Sequence, residues 1–239
     1  MIRPSIQASW KKLLLVNYDV DPEILNSYLP YNTELAFHKE KCFVSLVGFL
    51  FLNVSLMGIQ FPFHTNFLEV NLRFYVRRLY QGEWRYGVVF IKEIVALPIV
   101  SLIASKIAGE NYVTHPMKNK ITRKPDTLYV EYSWKKKRWH SFDITCEPTS
   151  SAMIKNSAED FFTSQFWGYT KLKGNIAYEY SVEHPTWEIY KTLDYNINVD
   201  YALAYGDKFE FLNKQNPDSV FLAEGSPIYM QKEKTMRPG

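Results

Sequence analysis

The sequence predicts a mostly β protein, with an antiparallel sheet closed or folded on itself as a barrel or a sandwich. Three observations carry this expectation. Aromatic residues make up 16% of the 239 residues, with 17 Tyr, 16 Phe and 6 Trp, and such rings favour half-buried pleated surfaces. Segments that alternate apolar and polar residues recur along the chain, and few stretches have helical period. The hydrophobic fraction of 46% and charged fraction of 22% are those of a globular chain, not a disordered one. No repeat, low-complexity segment or Pro/Gly/Ser-rich linker divides the sequence, so 1–239 reads as one domain, long enough to bury a sizeable core.

The elements follow in order. Leu13 to Tyr18 is a strand. Asp21 caps a short helix with Pro22 at its first position and Glu23 in its first turn, and Pro30 stops it. The stretch TELAFHKEKCFVSLVGFLFLNVSL reads as a hairpin turning near Lys39 to Lys41. FLEVNLRFYVRR, residues 67–78, is a strand that alternates Leu68, Val70, Leu72, Phe74 and Val76 with Glu69, Asn71, Arg73, Tyr75 and Arg77. The turn YQGEWRYG leads to a further strand, VVFIKEIV. Pro98 opens the clearest helix, with Ile99, Leu102, Ile103 and Ile107 on one face and Gly109 at its close. TLYVEYSWKKKRWHSFDITCEP is a hairpin with a basic tip, and Ser157 with Asp160 begins a second short helix. GNIAYEYSVEHPTWEIYKTLDYNI supplies more strand, and SVFLAEGSPIYMQKE ends as a strand interrupted at Gly-Ser-Pro.

The net charge of +3 and the single dense basic run, KKKR at 135–138, favour solvated lysines on a hairpin tip over a nucleic-acid surface. Cys42 and Cys146 belong to no CxxC pair, and no histidine cluster has metal-ligand spacing. Buried free thiols, a cytoplasmic location and no metal or cofactor are expected. The N-terminal MIRPSIQASWKK has no signal-peptide pattern. The uncharged stretch 42–63 is interrupted by Ser45, Gly48, Asn53, Ser55, Gly58, Gln60 and Pro62. It reads as two buried strands, or a strand and a covering loop, without membrane contact. A homo-oligomer stays open.

Phosphate-loop, dinucleotide, zinc-protease and nucleophile-elbow motifs are absent. The best candidates are Glu69, Asn71, Arg73 and Tyr75, which strand geometry puts on one face. A carboxylate and a guanidinium in a dry site can bind anions or exchange protons, whereas the same residues facing water would be an ordinary charged surface. Lys92, in mid-strand, and Lys106, on the helix, are candidate amine nucleophiles if desolvated. The histidines, His38, His64, His115, His140 and His184, have no partner at a recognised spacing.

These residues also carry a family resemblance. FLEVNLRFYV (67–76), together with the opening W…V…DPEILNSYLP (10–30), GVVF (87–90), FFTSQFWGY (161–169), EHPTW (183–187) and AEGSP (223–227), resembles the YqjF-like family of uncharacterised bacterial proteins. That family is similar to the acetoacetate decarboxylase-like superfamily. The resemblance implies a cone-shaped, mostly antiparallel β-barrel with a few short helices and an internal cavity, into which Glu69 points. The decarboxylase's Schiff-base lysine stands in a Pro-Lys-Lys motif after a helix carrying Gly-Arg-Glu. Here Lys106 takes the place of that arginine, and the lysine positions fall near Val113 and Thr114, with Lys118 and Lys120 beyond Pro116. The segment offers Tyr112 and His115 instead, a hydrogen-bond donor and a proton exchanger.

Three functional readings follow. The first is a protein that binds a small carbonyl or carboxylate ligand among Asn71, Arg73, Tyr75, Tyr112 and His115, with acid–base chemistry at Glu69. The second is a Schiff-base lyase that uses Lys106 or Lys92. The third is a non-catalytic interaction protein whose polar strand face meets solvent or a partner.

Overall fold

The computed structural model describes residues 6–60, 65–98 and 111–237, apart from the side chains of 232–234. Strands dominate the described residues: β1 (Ile6–Asp19), β2 (Glu34–Leu35), β3 (Phe43–Leu56), β4 (Phe67–Tyr80), β5 (Glu83–Val95), β6 (Tyr112–Thr114) and β7 (Met117–Arg123). They continue with β8 (Leu128–Lys136), β9 (Arg138–Ala152), β10 (Trp167–Leu172), β11 (Ile176–Glu183), β12 (Glu188–Asn198), β13 (Ser219–Ala223) and β14 (Pro227–Met236). Two short α-helices, α1 (Ala158–Thr163) and α2 (Tyr201–Tyr205), and two 3-10 helices, Pro22–Tyr28 and Asp207–Asn213, complete the described elements. The helix expected from Pro98, together with Lys106, lies outside the described residues from 99 to 110.

Seven strands close into a barrel in the order β1, β3, β4, β5, β10, β11 and β14, and β14 pairs back onto β1. All of these neighbours are antiparallel except β5 and β10. The expected mostly β barrel is therefore what forms. β1 serves two sheets. Ile6 to Ser9 pairs with β14 and completes the barrel, whereas Leu13 to Asn17 pairs with β13. The changeover falls at a bulge between Lys11 and Leu14, where Lys12 has a left-handed φ of 56°. Glu224 accepts hydrogen bonds from both Lys11 and Lys12 beside this bulge. From β13 a second sheet runs through β12, β9 and β8 to β7 and covers one side of the barrel.

That cover makes the barrel unusual inside and out. Leu14, Val16, Val44, Leu46, Val70, Leu72 and Phe74 form a core with Tyr132, Trp134, Phe142 and Ile144 of the outer sheet. The oily face of β4 therefore points out of the barrel, into a second layer. Gly48 marks the tightest approach, since a Cβ there would lie 2.7 Å from ring atoms of both Phe142 and Tyr132. The opposite face of β4 points inward, alongside a separate core that contains Leu15, Val47, Phe49, Phe51, Val88, Tyr180 and Trp187.

Three local expectations need correction. Lys39 to Lys41 does turn the chain, with reciprocal backbone bonds of 3.0 Å between His38 and Lys41, but its arms do not pair as a hairpin. β2 pairs with Val76 and Arg77 of β4, and β3 pairs with β1 and β4. Of the two readings of the uncharged stretch, two strands or a strand and a loop, the first does not hold: Phe43–Leu56 is one 14-residue strand, β3. β7 and α2, together with the 3-10 helix Asp207–Asn213, were not legible as elements, because polar and charged residues fill the exposed positions of β7. The two helix starts behave as expected. Asp21 Oδ1 accepts from the Glu23 amide at 2.9 Å, and Ser157 Oγ from the Asp160 amide at 3.2 Å. Both cysteines are free and buried, and burial raises the Cys42 thiol to about 11 and the Cys146 thiol to about 12.

The barrel wall also carries a withdrawn ion cluster. Glu179 on β11 accepts from Arg78 Nη1 at 2.9 and 2.8 Å and from Arg85 Nη1 at 3.0 Å. Its side chain is 1% exposed and that of Arg78 is 7% exposed. Removing one partner of such a pair strands the other charge without water, at a cost of about 3–5 kcal/mol. Glu179→Ala should lower the unfolding free energy by that much in a denaturant titration, and a loss below ~1 kcal/mol, the range of an exposed pair, would refute the assignment.

Acid should destabilise the fold as well. His140 is fully buried, stacks on Trp134 at 5.2 Å and accepts the Asp200 amide at 3.2 Å through Nδ1. Desolvation holds it below the usual histidine value, and burial does the same for His38, His115 and His184. In each case the unfolded chain takes up the proton first, so stability is complete above about pH 6.5 and falls as pH drops below it. The thermal midpoint should decrease between about pH 7.5 and about pH 5.5; a flat profile over that interval would contradict this reading.

Candidate functional site

The inward face of β4 builds the site. Glu69, Asn71 and Arg73 stand at successive inward positions and line a cavity of about 50 Å³ inside the barrel. They are 2%, 1% and 7% exposed. The third reading required this face to meet solvent or a partner, and its burial removes that premise. Asn71 Nδ2 donates to Glu69 Oε1 at 2.9 Å, and the Tyr112 hydroxyl donates to Glu69 Oε2 at 3.2 Å. Tyr112 reaches the cavity because β6 runs parallel to β5, with Tyr112 beside Glu93.

Helix α1 anchors the other end of the polar row. Arg73 Nη2 donates to the Phe162 carbonyl at 3.1 Å, and Gln165 Nε2 donates to the neighbouring Phe161 carbonyl at 2.5 Å. Adjacent carbonyls at the helix end thus hold a guanidinium and an amide side by side at the cavity wall. Aromatic rings form much of the remaining lining, beside Leu13, Val88, Val182 and Met230. Trp10 meets Phe49 edge-on at 5.4 Å and Trp187 at 6.2 Å, and Phe51, Phe90 and Trp167 also contribute.

His184 joins this wall, stacked on Trp187 at 4.3 Å. Its Nδ1 lies 2.9 Å from the Pro185 carbonyl. A carbonyl only accepts, so Nδ1 carries the hydrogen and Nε2 keeps its lone pair. Burial, joined by the nearby positive Arg73, holds the imidazole below the ordinary histidine value despite the Pro185 bond. A neutral base therefore sits beside the guanidinium at neutral pH.

Two proposed ligand contacts stand apart from the cavity. Tyr75 points inward, but Phe161 and Phe162 pack on its ring at 5.2 and 5.4 Å, and its hydroxyl shares a 2.7 Å hydrogen bond with Ser45. It closes the floor below the cavity. His115 follows Tyr112 by an odd number of residues and faces the other way, where Lys136, Lys92 and His140 surround it. Lys92 lies on that outer face too: it is paired in register with Leu72, and its Nζ donates to the Ala204 carbonyl at 2.7 Å. Among the described residues, no lysine lines the cavity; Lys106 lies outside them.

Three lining residues escaped sequence reasoning. Glu93 is 1% exposed and lies opposite Asn71. Alternation from Phe90 would send it outward. The register shifts between Leu72 and Arg73, so that Phe90 pairs with Arg73 and Lys92 with Leu72. The extra residue, Ile91, reverses the parity and brings Glu93 in. Gln165 lies in a loop without periodicity, and His184 gave no signal beyond its place in the EHPTW segment. Among the described residues, no group of three or more His, Cys, Asp or Glu side chains is placed to hold a metal, and no helix is long and apolar enough to cross a membrane.

Comparisons with solved structures match this architecture. The enduracididine biosynthesis enzyme MppR complexed with pyruvate superposes with a TM-score of 0.64 at 13% identity, over 99% of this chain and 91% of that one. Acetoacetate decarboxylase from Legionella pneumophila subsp. pneumophila str. Philadelphia 1 also gives 0.64 at 13% identity, over 98% and 88%. An acetoacetate decarboxylase-like enzyme from Sphingomonas wittichii RW1 gives 0.62 at 13% identity, over 98% and 95%. At such identities the likeness shows the fold alone. None of the curated proteins matches the chain in sequence. One family model does match, from residue 7 to residue 227, and by that match the chain belongs to the YqjF-like family of uncharacterized conserved proteins, DUF2071 (COG2071).

Proposed function

We propose that the protein binds a small carbonyl or carboxylate compound inside the barrel, with Glu69 exchanging protons with it. One observation carries this reading: Glu69, Asn71 and Arg73, all nearly inaccessible to bulk water, converge on one cavity. Burying a guanidinium is costly unless it meets an acceptor, and here Arg73 donates through Nη2 to one carbonyl, that of Phe162. An anionic or carbonyl oxygen is the natural complement. Glu69 holds a fixed position through Asn71 and Tyr112, which suits a group that gives and takes a proton at a defined atom. Neutral His184 beside Arg73 supplies a second group able to accept a proton.

The pyruvate named for MppR and the substrate named in acetoacetate decarboxylase are both small oxo acids, which supports testing that class first. Amine chemistry is a separate matter for this chain, because Lys92 is turned away from the cavity. Borohydride reduction with pyruvate, followed by peptide mass spectrometry, tests it directly. An adduct on Lys106 or Lys92 would replace the acid–base reading with a Schiff-base one.

Binding is tested by calorimetric titration with pyruvate, acetoacetate and acetate. A hydrogen bond to a charged group contributes about 1.5–3 kcal/mol, so Arg73→Met should weaken the preferred ligand by roughly 10- to 150-fold. Glu69→Gln should keep the fold, judged by an unchanged far-ultraviolet spectrum, while altering binding and its pH dependence. Binding that is the same in both variants as in the parent protein, or absent from the parent for all three probes, would overturn the proposal.

A further inference from the structure

The unpaired atoms around the cavity define the ligand more narrowly. Leaving the carboxylates aside, four buried polar atoms of lining residues have no hydrogen-bond partner: Asn71 Oδ1, Gln165 Oε1, Arg73 Nε and Trp10 Nε1. Asn71, Gln165 and Arg73 are themselves 1%, 8% and 7% exposed. The two amides cannot be turned round to change this. With Glu69 ionised, Asn71 must offer its NH2 to the carboxylate, and Gln165 must offer its NH2 to the Phe161 carbonyl, since both partners then only accept. Their oxygens are therefore acceptors that need a donor. Arg73 Nε and Trp10 Nε1 are donors that need an acceptor.

The arrangement places both kinds together. Asn71 and Arg73 are successive inward residues on one strand, roughly 7 Å apart along it. Arg73 and Gln165 hang from adjacent carbonyls, those of Phe162 and Phe161. A donor head is thus flanked by two acceptor oxygens. A simple oxo acid satisfies only half of this set, because it has acceptors and no donor. An amino acid would also bring a donor, with its ammonium between the Arg73 guanidinium, which disfavours it, and the Glu69 and Glu93 carboxylates, which favour it, so alanine is the competitor that the test must include.

Resting on the binding function proposed above, we infer that the preferred ligand is a short 2-hydroxy acid. Its carboxylate meets Arg73 Nε and Trp10 Nε1, and its hydroxyl donates to Gln165 Oε1. The size fits: at roughly 10–15 Å³ per water-sized group, about 50 Å³ accepts a compact molecule of few non-hydrogen atoms. Phe49 and Phe51 provide an apolar surface for its methyl group. A site built to pair a hydroxyl discriminates strongly against the analogue that lacks it, since the buried acceptors are then left unpaired.

The test is a matched titration of the full chain with each enantiomer of lactate, with pyruvate and with alanine. One lactate enantiomer should bind at least about 10-fold more tightly than pyruvate. Gln165→Leu should remove that preference by weakening lactate while leaving pyruvate unchanged. The ratio in the parent protein decides the matter even if the variant fails to fold. Pyruvate binding as tightly as lactate would overturn this inference yet leave the binding function standing. Alanine binding more tightly than lactate would replace the hydroxyl by an amine. If none of the four binds, the binding function itself fails.

Discussion

Both faces of β4 are withdrawn from water, and the rest of the architecture follows from that constraint. From Glu69 to Val76 every residue is buried. A barrel strand usually puts its apolar face into the barrel and its polar face towards solvent. Here the outer sheet takes the apolar face: Val70, Leu72 and Phe74 join the core shared with Tyr132 and Phe142. The interior no longer has to supply all of the hydrophobic stabilisation. At about 25 cal/mol per Å² of apolar surface buried, that outer layer offsets the cost of lining the inside with Glu69, Asn71, Arg73 and Glu93. The bulge at Lys12 makes the two layers one structure, because it lets β1 close the barrel with one half and start the outer sheet with the other.

Position inside the barrel is controlled by backbone carbonyls as much as by side chains. α1 spans only six residues, so its importance lies in where it ends. Its Phe161 and Phe162 carbonyls fix Gln165 and Arg73, while the rings of the same two residues pack on Tyr75 and close the floor. One short element therefore sets the depth of the cavity and the orientation of its cation. Glu69 is fixed from the other side by Asn71 and Tyr112. The acid and the cation are held by separate elements, so a ligand could contact both without either having to rearrange.

The legible part of this design was the period-two pattern of 67–78. It identified the strand and the shared face of Glu69, Asn71 and Arg73, but it could not say which face looked inward. That depended on the outer sheet, which is assembled by contacts between β1, β9, β12 and β13 across long sequence separations. The resemblance to the YqjF-like family resolved the direction. What neither route could supply was parity after an irregularity. Ile91 shifts β5 by one residue, which brings Glu93 in and leaves Lys92 out. A one-residue slip exchanges the faces of every residue beyond it, and no composition rule marks where the slip occurs. Tyr75 failed for a different reason. Its face was correct, but the space in front of it was already filled by α1.

The polar interior costs stability, and a bound ligand of the proposed kind would offset that cost. Buried polar groups in native proteins are nearly all paired, and leaving one unpaired costs about 1–3 kcal/mol. Asn71, Arg73, Gln165 and Trp10 each retain an unpaired polar atom at one small cavity. Elsewhere in the barrel wall the same chain satisfies a buried carboxylate thoroughly, as Glu179 shows with Arg78 and Arg85. That carboxylate is fully met, although Arg78 Nε of the same cluster has no partner. Unpaired atoms also occur singly elsewhere, at His38, Arg78, Trp134, Thr170 and Tyr205, but these four share one cavity, and disagreements between local rules and global fold concentrate where a protein binds or reacts. On the proposed function, the cavity is a half-built hydrogen-bond network whose other half is the ligand.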